Sequence, residues 1–368
     1  MGEAREMKRA SRIIVSVFIA IALVYGVYFM PLPLFIFSAG TAETIQPMVH
    51  TKPNGSEKRG AFMLTTVRVS DASVFGYLMS FVHPYDELRR KTELLRDNES
   101  EQEYTQRQEV SMLTSQSSAI QAAYHMLGIP YHISNDGVVI MQIYKDFPAA
   151  EILVAGDYIV KVDDNPIQLS EDLQKQLKGK KAGDTVTIAY KRKNVTRTAQ
   201  IKLAQLPLEK GAAPVKEEDR RVGLGVVPAN VQSVKANNGD KQVTIKAGEI
   251  GGPSAGLMFS LEIVNRLSVD DISKGYKIAG TGTIDDKGNV GVIGGIQHKI
   301  IAADQAGAEI FFAPKDYTSP KGEKIPNYSD AVKRAKDINT TMKIVPVGNM
   351  DDALQYLKTL PEKPVKAG

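Results

Sequence analysis

From Ile13 to Phe37 the chain carries no charged side chain, and just before that run stand Arg5, Lys8, Arg9 and Arg12 against only Glu3 and Glu6. An apolar run of this length has to be shielded from water by protein or by lipid. The 18 residues Ile13–Met30 reach about 27 Å as a helix, at roughly 1.5 Å per residue. A hydrocarbon layer is about 30 Å thick, so with part of "PLPLFIF" the segment spans it. Pro31 and Pro33 end the regular helix at the far interface. The basic cluster keeps residues 1–12 cytoplasmic and sends everything after about residue 40 outside. The reading is a tail (1–12), an anchor (13–37) and a polar linker (38–59). A cleaved signal peptide is the rival, because "FSAG" offers small residues, although its apolar region would be unusually long.

The 368 residues suffice for two or three domains, and 43% apolar with 24% charged is ordinary for a globular chain. A net charge of +4 is slight for this length and implies no nucleic-acid partner. Zero cysteines exclude disulfides, thiolate metal sites and thiol nucleophiles. No G-x-x-x-x-G-K-[ST] occurs, so no ATP site is expected.

Residues 60–125 open with "AFMLTTVRV", an alternating β-branched strand. "SVFGYLMSFVHPYDEL" is helical up to His83-Pro84, and a charged solvated stretch follows. Gln108–Leu127 repeats Met112, Ile120, Ala123 and Leu127 at helical intervals, and Gly128 can close it. Over 126–205 the texture changes to a strand ("GVVIMQIY"), a helical turn ("FPAAEI"), a strand between turns ("AGDYIVKVDDNPI"), an amphipathic helix and a strand pair. Phe147-Pro148-Ala149-Ala150, Ala155-Gly156-Asp157-Tyr158-Ile159 and Asp164-Asn165-Pro166 resemble the signature of a bacterial, circularly permuted PDZ domain. Such domains add an extended peptide to an open sheet edge. The resemblance makes Leu127-Gly128-Ile129 the loop that caps the peptide carboxylate; the alternative is that these residues only terminate the preceding helix. "PLEKGAAPVKEEDR" makes 206–220 a linker.

The stretch "GEIGGPSAGLMFSLEIVNRL" sets Ser254 among small residues where Leu257, Leu261 and Val264 begin a helical stripe. Helix-start N–H groups there can receive an oxyanion, but an N-cap serine is the simpler reading. A serine nucleophile needs a base. Among five histidines only His298 follows the serine, and beside it Lys299 lies on the apolar stripe of Ile296, Ile300 and Ala303. Burial would lower the lysine pKa and make it a usable base; otherwise its stem snorkels along the core edge.

Pro253-Ser254-Ala255-Gly256, Thr281-Gly282-Thr283-Ile284, Gly288, Val290, Ile293-Gly294-Gly295, Lys299 and Phe311-Phe312-Ala313-Pro314-Lys315 together resemble the proteolytic domain of Lon proteases, over 221–357. The resemblance implies Ser254 as nucleophile, Lys299 as base, and Thr281, Gly252 and Ala255 as supporting residues, with no cofactor and no metal. Two departures are Gly251, where the family commonly has an acidic or polar residue, and Thr283, where it has glutamate. An anchor, a PDZ domain and a Lon-type domain together resemble the SepM/YlbL group of bacterial membrane-bound proteases. The fold class implied is α+β: a Lon-type domain split into 60–125 and 221–357 by an inserted PDZ domain, behind an N-terminal membrane helix and before a tail (358–368). The activity implied is ATP-independent, extracytoplasmic hydrolysis of exported peptides or unfolded protein segments. Three alternatives stay open. "GPSAG" also fits the G-x-S-x-G elbow of α/β-hydrolases, carboxyl-terminal processing proteases also join an anchor, a PDZ domain and a Ser/Lys pair, and an inert PDZ scaffold needs no chemistry.

Overall fold

The computed structural model describes residues 2–52, 58–207 and 220–364, with side chains from residue 11 onward. Helix α1 (Gly2–Phe29) comes first; its segment Ser11–Phe29 has a mean hydropathy of 2.2 and none of it is buried. The helix stops before Pro31, where strand β1 (Pro31–Thr44) begins. This corrects two expected boundaries. Residues 31–37 are not part of the anchor and 38–44 are not linker, because β1 lies inside the main sheet with Phe35 buried. Charge content cannot separate a membrane run from a buried strand, since both are continuous apolar stretches. Residues 53–57 of the expected linker lie outside the described residues.

Strand β2 (Ala61–Ser73) runs antiparallel to β1. Helix α2 (Val74–Ser80) follows at once, and β3 (Glu87–Arg90) pairs with the other side of β1. Helix α3 (Glu101–Leu127) starts in a reciprocal capping box between Ser100 and Glu103 and ends at Gly128, whose φ of 64° is the left-handed cap that favours glycine. The charged stretch before Gln108 is therefore not all solvated: Glu103 is buried and accepts the N–H of Ile143.

The next unit holds β4 (Tyr131–Ile143), β5 (Tyr158–Val162), α4 (Ser170–Leu177), β6 (Thr185–Arg192) and β7 (Val195–Lys202). Ile140, Ile159, Ile188 and Ile201 fill its own core. Its sheet is antiparallel, ordered β8-β4-β5-β6-β7, where β8 is Val226–Ala236. The expected boundary at residue 205 is thus corrected as well. Beyond the linker, of which 208–219 lie outside the described residues, β8 pairs with β4 from Val226↔Ile143 to Ala236↔Tyr131. "KQVTIKA" contributes only Thr244–Ile245 as strand, against Val49–His50.

The remainder alternates α5 (Gly256–Leu267), β9 (Lys277–Gly280), α6 (Ile296–Gln305), β10 (Ile310–Pro314), α7 (Asn327–Asp337), β11 (Lys343–Val347) and α8 (Met350–Thr359). The main sheet is ordered β11-β10-β9-β2-β1-β3, parallel from β11 to β2. Residues 31–44, 61–73 and 277–347 thus share one sheet across the intervening unit. Strand alternation divides its side chains. Phe62, Leu64, Ile278 and Phe312 pack towards α3, α5 and α8, while Met63, Ala279, Phe311 and Ala313 pack towards α6 and α7. The expected tail is not loose up to residue 364: α8 runs past 358, the N–H of Lys363 binds Lys274 O, and its amine pairs with Glu309. Residues 365–368 lie outside the described residues. The architecture is α+β, with an antiparallel unit set into a helix-flanked mixed sheet.

Candidate active site

Helix α5 precedes β9 on one face of the main sheet and α6 follows it on the other. Where flanking helices change face, the carboxyl ends of the strands leave a crevice, and here β9 ends at Gly280 beside Leu64 of β2. Ser254 reaches this point from the start of α5, and Lys299 from α6. Lys299 Nζ lies 3.1 Å from Ser254 Oγ and donates to the carbonyl oxygen of Thr65 at 2.5 Å.

Lys299 is 3% exposed. Burial alone lowers its pKa to about 7 from the usual 10.5, because removing water penalises the ammonium more than the amine. Among the described residues, no carboxylate is a hydrogen-bond partner of Lys299. The snorkelling alternative therefore does not hold.

The simpler reading of the serine also fails. Ala255, not Ser254, is the N-cap of α5, and no side chain caps that helix. The backbone around Ser254 is fixed from three directions. Its carbonyl accepts the N–H of Gly282 at 2.8 Å and the hydroxyl of fully buried Thr281 at 3.0 Å. The carbonyl of Pro253 accepts Ser115 Oγ at 2.9 Å. The N–H of Gly252 donates to Gln108 O at 2.9 Å, and its φ of 88° is one that glycine adopts without strain. Gly256 allows the close approach of α5, since a Cβ there would stand 2.8 Å from Ile284 Cγ2 and 2.9 Å from Ser115 Oγ.

Of the residues singled out in the sequence, Ser254 and Lys299 meet directly. Thr281 touches the serine backbone rather than the amine, and Gly252 shapes the loop with its N–H already committed. The N–H groups of Ser254 and Ala255 have no backbone acceptor among the described residues. His298 turns away: its Nε2 is 3.4 Å from Glu87 of β3, and burial lowers its pKa. It leaves the α/β-hydrolase alternative without its histidine. Thr65, Gln108 and Ser115 escaped the sequence reading. A buried polar residue within the alternating "MLTT" and another within the apolar stripe of α3 were the available signals.

Leu127, Gly128 and Ile129 are not brought to this site. The N–H groups of Gly128 and Ile129 donate to His125 O and Tyr124 O, closing α3, and Leu127 and Ile129 pack against the core beneath α5. These donors therefore already have acceptors, and the adjoining strand β4 is paired along its length with β8. The carboxylate-capping expectation is corrected accordingly: the loop acts as a helix terminus.

The Ser254–Lys299 pair opens into a cleft of about 1240 Å³, walled by Thr66, Val67, Gln108, Ile250, Val292 and Gly294 among others. Its walls come from β1, β2, α3 and the loop before Ser254.

Residues 125–203 match the PDZ domain family, and residues 215–359 match the Lon protease (S16) C-terminal proteolytic domain. The chain is 28% identical over 160 residues to a Lon protease of Aster yellows witches'-broom phytoplasma, covering 42% of this chain and 19% of that protein. It is 34% identical over 142 residues to a Lon protease of Mycoplasma pneumoniae, covering 37% and 16%. It thus spans less than a fifth of the length of these curated relatives. The PDZ domain of an SdrC-like protein from Listeria monocytogenes is 34% identical, with a TM-score of 0.22, covering 26% of this chain and 90% of that one.

Proposed function

We propose, on the premise that this chain carries a PDZ domain and a Lon-type proteolytic domain, that Ser254 and Lys299 hydrolyse peptide bonds as nucleophile and base. Neutral Lys299 Nζ takes the Ser254 proton as Oγ attacks the scissile carbonyl carbon. The oxyanion rests on N–H groups at the start of α5, where the helix dipole favours negative charge. As the tetrahedral species collapses, the Lys299 ammonium returns the proton to the leaving amine and an acyl-serine remains. Water then attacks the ester, Lys299 takes its proton, and Ser254 regains its hydrogen as the acid product leaves.

The observation that carries this reading is the buried amine 3.1 Å from the serine hydroxyl, with no acid beside it among the described residues. A serine-directed fluorophosphonate probe tests it, read alongside cleavage of unfolded protein. Labelling confined to Ser254 and lost in Lys299→Met supports the dyad. Cleavage that survives Ser254→Ala overturns it in favour of another nucleophile, and a native chain that neither labels nor cleaves overturns it in favour of the inert scaffold.

The substrate class is extended peptide or unfolded segment, and the hydrolysis is independent of ATP; cleavage at full rate without nucleotide is the expected result. The PDZ unit acts as a gate. Helix α3 touches it through Glu103 and Ile143 and touches the nucleophile loop through Gln108 and Ser115. The apolar, unburied α1 favours an anchored enzyme facing outward from the membrane. Signal-peptide cleavage near "FSAG" would cut β1 inside the main sheet, so the pairing of β1 with β2 and β3 argues for retention.

A further inference from the structure

Residues 74–82, "VFGYLMSFV", carry no charge, and none of the residues of α2 is buried. Leu78 is 57% exposed, Phe81 70% and Val82 68%. Single exposed apolar residues are ordinary, but a contiguous apolar cluster marks a surface that something covers. The place of this one is specific. Pro31, two residues beyond the end of α1, pairs across the sheet with Ser73, the N-cap of α2. The Tyr28 ring in the last turn of α1 stacks on Phe75 at 4.6 Å between centroids. Gly76 seats α2 on β1, where a Cβ would come 3.0 Å from Ile36 Cδ1.

We infer that Leu78, Phe81 and Val82 form a second membrane contact, inserting at the level where α1 leaves the bilayer. The inference rests on the reading of α1 as a retained anchor. If α1 spans lipid, a segment packed on its last turn stands at the headgroup boundary, where an uncharged apolar turn is stable and an exposed one is not. A helix alone leaves the body free to swivel about residues 29–31. A second contact beside it fixes the tilt of the main sheet, and with it the direction in which the cleft faces.

The chain has no cysteine, so Phe81→Cys in the full chain accepts a single nitroxide label. The protein is reconstituted in vesicles of phosphatidylethanolamine and phosphatidylglycerol, and collision rates with oxygen and with a nickel chelate are measured. Ile19→Cys reports the anchor. Val269→Cys, 63% exposed, reports water; it lies beyond the start of β2, about 40 Å along that strand from α2. The expected result is an oxygen-to-nickel ratio at Phe81→Cys several-fold above that at Val269→Cys and below that at Ile19→Cys, as for a site at the headgroup boundary. A ratio equal to that at Val269→Cys, with Ile19→Cys in lipid, overturns the second contact and leaves the anchor standing. Low rates for both agents, with spin broadening removed by dilution into unlabelled protein, overturn it in favour of a second copy of the chain. A water-exposed Ile19→Cys label overturns the anchor reading and this inference with it.

Discussion

The amine of Lys299, on one face of the main sheet, is hydrogen-bonded to the main-chain carbonyl of Thr65 within that sheet. The bond aims a flexible side chain at Ser254 without lending it a negative charge that would hold it protonated. A carboxylate in that place would favour the ammonium and remove the base at neutral pH.

Replacing either member of the dyad is expected to end catalysis while keeping the fold. Ser254→Ala and Lys299→Met should each lower kcat/KM for a peptide substrate by about 10⁴-fold or more, with circular dichroism unchanged. Lys299→Arg should be equally inactive, because guanidinium stays charged. An active arginine variant would show that position 299 supplies charge, not basicity.

Activity should rise with pH through an apparent pKa of about 7, the value to which burial lowers Lys299. The stability linkage has a definite sign. The folded state binds fewer protons than the unfolded chain between about pH 7 and 10.5, so this group's cost to folding is full below pH 7 and fades as pH rises through that window. Lys299→Met should therefore gain more stability over the native chain at pH 6 than at pH 9. Urea midpoints at the two values check it; an equal gain at both contradicts the buried neutral amine.

Gly256→Ala is expected to harm catalysis more than stability. Its new methyl would press on Ile284 and Ser115 and shift the start of α5 away from Lys299. Overpacking of this kind costs about 1–3 kcal/mol, and a displacement of about 1 Å can cost about 10²-fold in rate. Steady-state kinetics should show the loss mainly in kcat. A variant with native kcat would mean that the glycine serves packing alone.

Glu262 in α5 offers a test of the fold apart from the chemistry. Burial raises its pKa to about 7, outweighing Arg266, whose guanidinium stands 3.9 Å away. Burial of the carboxylate costs stability fully above pH 7, and the cost disappears as pH falls towards the unfolded value of 4.5. Glu262→Gln should match the native chain near pH 4.5 and exceed it at pH 8, on the order of 2 kcal/mol. A variant less stable at pH 8 would show that the Arg266 pair outweighs desolvation.

Local pattern was enough for much of the site. The apolar stripes of "LMFSLEIVNRL" and "IQHKIIAADQ" define α5 and α6, place Lys299 on the buried face of one and set Ser254 at the mouth of the other. The glycine at 128 marks the end of α3 for the same reason, because a left-handed cap favours one residue type.

The tertiary structure decided what those helices meet. The sequence by itself pointed to Ser254 and Lys299 as the candidate pair, and to the order of the elements and an apolar amino-terminal run. It marked the end of the helix at Pro31 but did not reveal that the residues beyond form a sheet strand, that β8 closes the edge of β4, or that Thr65 supplies the carbonyl that orients the amine. Periodicity records which face of a segment avoids water, and that depends on neighbours a few residues away. Pairings between residues as far apart as 65 and 299 depend on how whole elements pack, and no short window of sequence contains that choice.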